Sequence, residues 1–450
     1  MIKQDFLLNN ETAKDLYETV KALPIIDYHN HLSAKDVAEN KRFLDVYELW
    51  IAPDPYKHRA MRMCGVPEKY ITGEGTAEEK FAAWCETLPK LALNPLSHWS
   101  YMELQTIFGW EKPVNGENAK ELYAYCNDCL QKKPLTVEKM MDIFGVEYAC
   151  PCASLVDDTS VFDGKRFAPS LRGDDIVAPN REFIEKLERF TGWEITSLDA
   201  LKRAICIRLD AYADCGCRFS DHALDNGFVF YEDDGKNAKR FTALRKGNIS
   251  AEDKAKFISY MLVFLGEEYT KRNFVMQLHI GAERYTSSKL RAKVGPAGGF
   301  AGIGNSVNVS ALTKFLDTID NTPSGLPKTV LFTLNPADNA LISVLSGSYA
   351  KDGAAGLITQ GPAWWWCDHK QGILEMFENA SVFSAFSNFV GMTTDSRSFL
   401  SFVRHDYFRR VLCDWLGEKW EKGELLCAKE EVTALAKKLC YENAKSAVTL

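Results

Sequence analysis

The chain has no long hydrophobic run. Its leading candidate, Ile258 to Leu265, falls far short of the roughly 20 apolar residues that a membrane-spanning helix needs. It has no excess of positive charge: 54 Lys and Arg stand against 61 Asp and Glu, a formal net charge of −7. That balance removes the general electrostatic reason to seek nucleic acid or an anionic membrane, while leaving room for a local basic pocket. Met1 to Lys14 contains no apolar core of the kind a secretory signal requires. Internal repeats and low-complexity segments are lacking too. Cysteine is not scarce, but its thirteen copies are an odd number without an export signal, which reads as reduced thiols in a cytoplasmic protein. Cys126-x-x-Cys129 is the one CxxC pair, and a structural zinc site needs two; Cys150-x-Cys152 and Cys215-x-Cys217 add none. The bland reading, buried free thiols, is the expectation. The glycines from Gly295 to Gly304 do not form GxGxxG, so no phosphate cradle is expected.

What is present is ordinary core material, 46% hydrophobic and 26% charged residues. Short β-rich runs alternate with helical stretches: Ile25–Tyr28, Glu147–Cys150, Arg166–Leu171, Cys217–Ser220, Phe274–Leu278, Thr329–Leu334, Gly356–Thr359 and Phe389–Thr393. Strands separated by helices predict an α/β fold, a (β/α)₈ TIM-type barrel filling residues 1–450 as a single domain. About 120 residues separate the first strand from the second, far more than one crossover requires. That interval is rich in helix formers, as at Glu78–Leu93 and Ala119–Lys132. It reads as a helical insertion subdomain over residues 36–143, after strand 1 and on the catalytic face. The charge runs Tyr231–Lys236 and Gly417–Glu424 read as solvated loops and helix faces.

Asp27-Tyr28-His29-Asn30-His31 carries the sharpest chemistry. Residues i and i+2 of an extended segment project to one side, so His29 and His31 can offer two imidazoles to one metal. They follow Ile25 and Ile26, at the strand end where barrel active sites lie. The second signal is Thr394-Asp395-Ser396-Arg397, just past the last expected strand. Alone, it is usually a helix cap. Strands 1 and 8 are neighbours in a closed barrel, however, so Asp395 can complete the metal shell or act as a base. Arg397 can bind an anionic group in its fork geometry.

HxH after strand 1 with an Asp after strand 8 resembles the amidohydrolase superfamily, and the wider text resembles the uronate isomerase family. The matching stretches include Asp27 to Leu32, Tyr56 with Arg59-Ala60-Met61-Arg62, Asn94-Pro95 with His98-Trp99, and Cys217 to His222. They continue with Gln277 to Ala282, Thr333 to Asn339, Trp364-Trp365 with Asp368, Gly391 to Ser398, and Arg404-His405-x-Tyr407-Phe408-Arg409-Arg410. They span essentially the whole chain. The resemblance implies an aldose–ketose isomerase acting on glucuronate, galacturonate or both, through a cis-enediol. It implies one divalent ion on His29, His31 and Asp395, and this ligand set suits zinc. Asp395 would be the catalytic base and Tyr56 a proton shuttle. His279, at the end of strand 5, would lie beside the metal, although a satisfied core histidine reads equally well. Arg397 and Arg172 are candidates for the substrate carboxylate. Trp364 and Trp365 could wall the sugar pocket or be half core and half surface. Ser220-Asp221-His222 is not a catalytic triad, because consecutive residues rarely face one another. The partner implied is a small sugar acid, and a homo-oligomer is compatible with it.

The chain also departs from the family pattern. Asp-His-Tyr-Lys-Trp-Arg is usual where Asp54-Pro55-Tyr56-Lys57-His58-Arg59 stands, so a histidine has become Pro55 and His58 has entered. If the segment is helical, His58 could serve as the missing substrate-binding histidine, since i and i+3 share a face. Thr-Thr-Asp-Asp-Pro is usual at Pro151-Cys152-Ala153-Ser154-Leu155, and Phe-Arg-Pro-Asp at Leu171-Arg172-Gly173-Asp174. Ala297, Ala301 and Asn305 stand where Asp is common. The alternatives are therefore an isomerase of a related sugar acid, or a barrel that binds a sugar acid without turnover. Retention of Asp395 and Tyr56 favours turnover. A binuclear hydrolase is disfavoured, because no bridging Lys or Glu lies near Ser220 and no His near Asn335.

Overall fold

The computed structural model describes residues 2–449. Its centre is a seven-stranded, wholly parallel sheet: β1 (Ile25–Asn30), β2 (Val146–Ser154), β3 (Ser170–Arg172), β4 (Phe219–Leu224), β5 (Val275–Ile280), β6 (Thr329–Thr333) and β7 (Ile358–Gln360). Each strand bonds to the next of these in the chain. Helices occupy the crossovers, except between β2 and β3, where the only element is a three-residue 3₁₀ turn, Thr159–Val161. A two-residue antiparallel pair, Ala282–Glu283 with Gly302–Ile303, sits apart from this sheet. The sheet curls on itself. Tyr28 of β1 stacks on Phe219 of β4 at 5.3 Å between ring centroids, although two strands lie between them in the order. Ile26, Tyr28, Cys150, Phe219, Val275 and Val330 gather on the enclosed face as one apolar cluster.

Seven of the expected strands exist, with shifted bounds. The shift at β4 matters most: the expected Cys217–Ser220 becomes Phe219–Leu224, which carries Asp221 and His222 inside the strand. The eighth, Phe389–Thr393, is not a strand. The reason is local. His29 donates its backbone N–H to Thr393 Oγ1 at 2.9 Å, and that hydroxyl donates to His29 O at 2.6 Å. A side chain thus occupies the positions a backbone ladder would use. The segment is still fastened to β1, through Asp395 N to His29 O and His31 N to Ser396 O.

Between β1 and β2 the chain runs through helices Ala34–Ala38, Val46–Trp50, Pro55–Met63, Ala77–Thr87, Pro95–Phe108, Ala119–Lys132 and Val137–Phe144. Pro55–Met63 is a well-specified helix. Asp54 caps it by accepting from Tyr56 N and Lys57 N, and Pro55 at the first turn fixes φ without wasting a donor. Lys57, 1% exposed, pairs with Asp54 at 2.7 Å and Glu103 at 3.4 Å, tying this helix to Pro95–Phe108. The helical reading of residues 55–58 therefore holds. Among the described residues no helix is long and apolar enough to cross a membrane.

Candidate active site

At the C-terminal ends of the strands lies a cavity of about 970 Å³. His29 and His31 reach it from the end of β1, and their Nε2 atoms lie 3.3 and 3.1 Å from the same oxygen, Asp395 Oδ1. That oxygen is buried and has no hydrogen-bond partner. Asp395 Oδ2 is held separately, accepting from Trp364 Nε1 at 2.7 Å. Asp395 has φ +47°, a left-handed conformation that an Asp tolerates better than most residues.

Asp27 fixes this arrangement from below. Fully buried, it accepts from Thr394 N at 2.7 Å, Thr394 Oγ1 at 2.8 Å, Asn30 Nδ2 at 2.9 Å and His405 Nε2 at 3.2 Å. Burial opposes its charge, but these donors hold its carboxyl below the usual range. The buried Arg404 donates to Thr394 O at 2.6 Å and lies over the Trp99 ring. The segment carrying Asp395 is thus located by buried charge-assisted bonds rather than by strand pairing.

His279 ends β5 beside His29, with ring centroids 4.6 Å apart, and is stacked on Phe332. Its Nδ1 faces Asp221 Oδ1 at 2.5 Å. Burial pulls the His279 pKa down; it raises that of Asp221, but His279 and Arg172 outweigh it and hold the carboxyl well below normal. A carboxylate only accepts, so Nδ1 carries the proton and the neutral ring presents the Nε2 lone pair, which has no partner. Arg172 lines the cavity but is committed, 2.9 Å from Asp174 and 3.4 Å from Asp221. Arg397 also lines it, is exposed, and makes no ion pair or hydrogen bond among the described residues.

Tyr56 joins the cavity from the inserted helix, packed edge-on to Trp366 and Trp99. Trp364 and Trp365 complete that wall, Trp365 at φ +53°, an unusual backbone for so bulky a side chain. Pro55, Ala297 and Ala301 line the cavity too, so three of the departures face it. His58 does not. It is buried behind the helix, its Nε2 lacks a partner, and burial pulls its pKa down to about 4. The helix forms as expected, but His58 shares its inner face with Asp54 and Arg62 rather than with the cavity wall.

The glucuronate isomerase family model matches residues 1–447. The chain belongs to the glucuronate isomerase family. Its similarity to the uronate isomerase of Endomicrobium trichonymphae is 37% identity, covering 98% of this chain and 97% of the relative. With that of Bacillus licheniformis it is 39%, covering 99% and 96%. The solved uronate isomerase of Thermotoga maritima superposes with a TM-score of 0.92 at 30% identity over 99% of both chains. The isomerase reading of the motifs stands.

Three residues around this candidate site of a glucuronate isomerase family member escaped the sequence reading as contributors: Asp27, Asp221 and Cys152. Asp27 shares the period of His29 and His31, and that parity was its signal. Asp221 was hidden by ending β4 too early. Cys152 showed only as a departure from the family pattern: the pairing of β2 with β1 is what brings its Sγ to 3.6 Å from His29 Nδ1. Two groups among the described residues have the spacing to hold a metal ion, His29–His31–Cys152 and His29–Asp221–His279.

Proposed function

We propose that this site interconverts D-glucuronate with D-fructuronate, D-galacturonate with D-tagaturonate, or both, using one divalent ion, zinc, on His29, His31 and Asp395. The observation that carries the reading is the convergence of two imidazole nitrogens on an otherwise unpartnered carboxylate oxygen in the wall of a cavity with ample room for a hexuronate. The residues fit such an ion, since a cation there would satisfy the orphaned oxygen, and imidazole with carboxylate suits zinc. When bound, it supplies Lewis acidity that stabilises charge developing on the sugar oxygens.

The chain's own residues do the rest. The Asp395 carboxylate takes the proton from C2 of the open-chain sugar and returns it at C1, passing through a cis-enediol. Tyr56, whose hydroxyl makes no hydrogen bond among the described residues, moves a proton between O1 and O2. The His279 lone pair accepts from a sugar hydroxyl, its tautomer set by Asp221. Arg397, without a hydrogen-bond or ion-pair partner among the described residues, grips the substrate carboxylate; Arg172, already paired, assists. Trp364 holds one Asp395 oxygen while Trp365 shapes the wall.

The architecture behind this site reads as a (β/α)₈ barrel in which residues 389–396 stand in for the eighth strand, with a helical insertion over 36–143. All thirteen cysteines are free, which supports a reducing, cytoplasmic setting. The decisive experiment incubates metal-replete protein with a panel of hexuronates and aldonates and follows them by NMR. Conversion of either aldose to its ketose is expected. Absence of conversion across the panel would overturn the reading.

A further inference from the structure

The strand-2 end carries an unexplained thiol. In the parallel pairing of β1 with β2, Asn30 lies opposite Pro151, so Cys152 runs level with His31. Its Sγ is 3.6 Å from His29 Nδ1, 3.9 Å from His29 Nε2 and 3.8 Å from Asp221 Oδ2. The ligand atoms of His29, His31 and Cys152 all lie within 4.8 Å of one another. The near-equal distances to the two ring nitrogens argue against a hydrogen bond that merely orients His29. A sulfur in line with one N–H would sit much farther from the opposite nitrogen. Two other features point to a ligand in the same place. Asp395 Oδ1 is buried without a partner, and so is His279 Nε2, on a side chain 4% exposed whose ring lies 4.6 Å from that of His29.

We propose that Cys152 is a further, thiolate ligand of the ion held by His29, His31 and Asp395. The inference rests on the metal reading of the site and deepens it. The family pattern has threonine at this position, a hard and neutral oxygen. A thiolate adds a soft, anionic donor, which favours zinc and cadmium over manganese and magnesium. It enters as its proton is released to solvent. Eleven of the other twelve cysteines lie outside β2, and among the described residues only Cys152 is grouped with two histidines at ligand spacing.

The test is a spectrum. The full-length protein, stripped and reloaded with one equivalent of cobalt(II), should show a near-ultraviolet thiolate-to-cobalt charge-transfer band. Cys152→Ser keeps a hydroxyl donor for Asp221, and Cys152→Thr restores the family residue; both should lose the band. Both should also bind zinc about 10-fold or more weakly in chelator competition, since even outer-shell changes cost that much, and should discriminate less between cadmium and manganese. A wild-type cobalt protein without the band overturns the proposal, and this spectrum depends on no variant. A band unchanged in folded Cys152→Thr overturns it equally. Elemental analysis separates the two readings: stoichiometric metal without a band rejects Cys152 alone, whereas wild type that retains no metal rejects the metal site with it.

Discussion

The two walls of the cavity are built differently. One is β1 with the segment after residue 389, where Asp27 accepts four hydrogen bonds in the dry interior and sets Asp395 against His29 and His31. The other is the inserted helix Pro55–Met63 with the loop that follows β5. There the joints are looser: Arg59 donates to Gly299 O and Ala301 O at 3.1 Å each, and its guanidinium lies 4.5 Å from the centre of the Trp366 ring. Gly299 is required at this joint, because a Cβ on it would come within 2.4 Å of Pro55 O. Of the departures from the family pattern, Pro55, Ala297 and Ala301 line the cavity from the second wall, whereas Cys152 stands on β2 beside His29 of the first. The comparison teaches that the wall carrying Asp395 rests on buried charge, where one lost partner is costly. The substrate-facing wall rests on shape and a few surface-reaching bonds, where composition can drift.

The comparison can be broken at its strongest point first. Asp395→Asn should lower kcat by about 10²–10⁴-fold, as for loss of a positioned base, with further loss if metal leaves. His29→Ala with His31→Ala should abolish stoichiometric metal by elemental analysis. Undiminished metal in that double variant would move the ion elsewhere, His29–Asp221–His279 excepted since it too loses His29.

Next is the support. Asp27→Ala strands His405 and three further donors, so about 3–5 kcal/mol of stability should go, as for other broken buried pairs. Urea unfolding measures it. An effect below about 1 kcal/mol would mean that the first wall is no stiffer than the second.

On the second wall, Arg59→Ala should cost about 1–2 kcal/mol, the scale of two hydrogen bonds and a cation–π contact. Steady-state kinetics should show KM raised more than kcat is lowered, with metal content unchanged. Pro55→His should improve turnover of the hexuronates if the missing imidazole meets a sugar hydroxyl; unchanged kinetics would show that this position carries no specificity.

His58 should matter least for activity, being outside the cavity. Its effect lies in pH. Folded, it titrates near 4 because burial disfavours its charge; unfolded, it returns to about 6.5. Above pH 6.5 both states are neutral there and stability is whole. Between 6.5 and 4 only the unfolded chain takes the proton, so stability falls as pH falls, by about 3 kcal/mol at most. His58→Leu should remain within about 1 kcal/mol of wild type at pH 7.5 and flatten the slope below 6.5. A slope unaltered in the variant would assign it to other groups.

Much of this was readable in one dimension. The imidazole pair needs only period two at a strand end, the helix at 55 only Asp followed by Pro, and the alternation of strands and helices only local pattern. Sequence therefore determined the strands β1 to β7, the helices between them and the residue types of the isomerase family, including those proposed to hold a metal. Tertiary structure alone decided the rest, because it turns on distances between residues remote in the chain. It replaced the eighth strand with a segment pinned by Asp27 and Thr393, aimed His58 inward while Pro55 faced the cavity, and turned Asp221 onto His279. It also set Cys152 beside His29, across more than a hundred residues, where no local periodicity reaches and only the register of β2 against β1 could carry it.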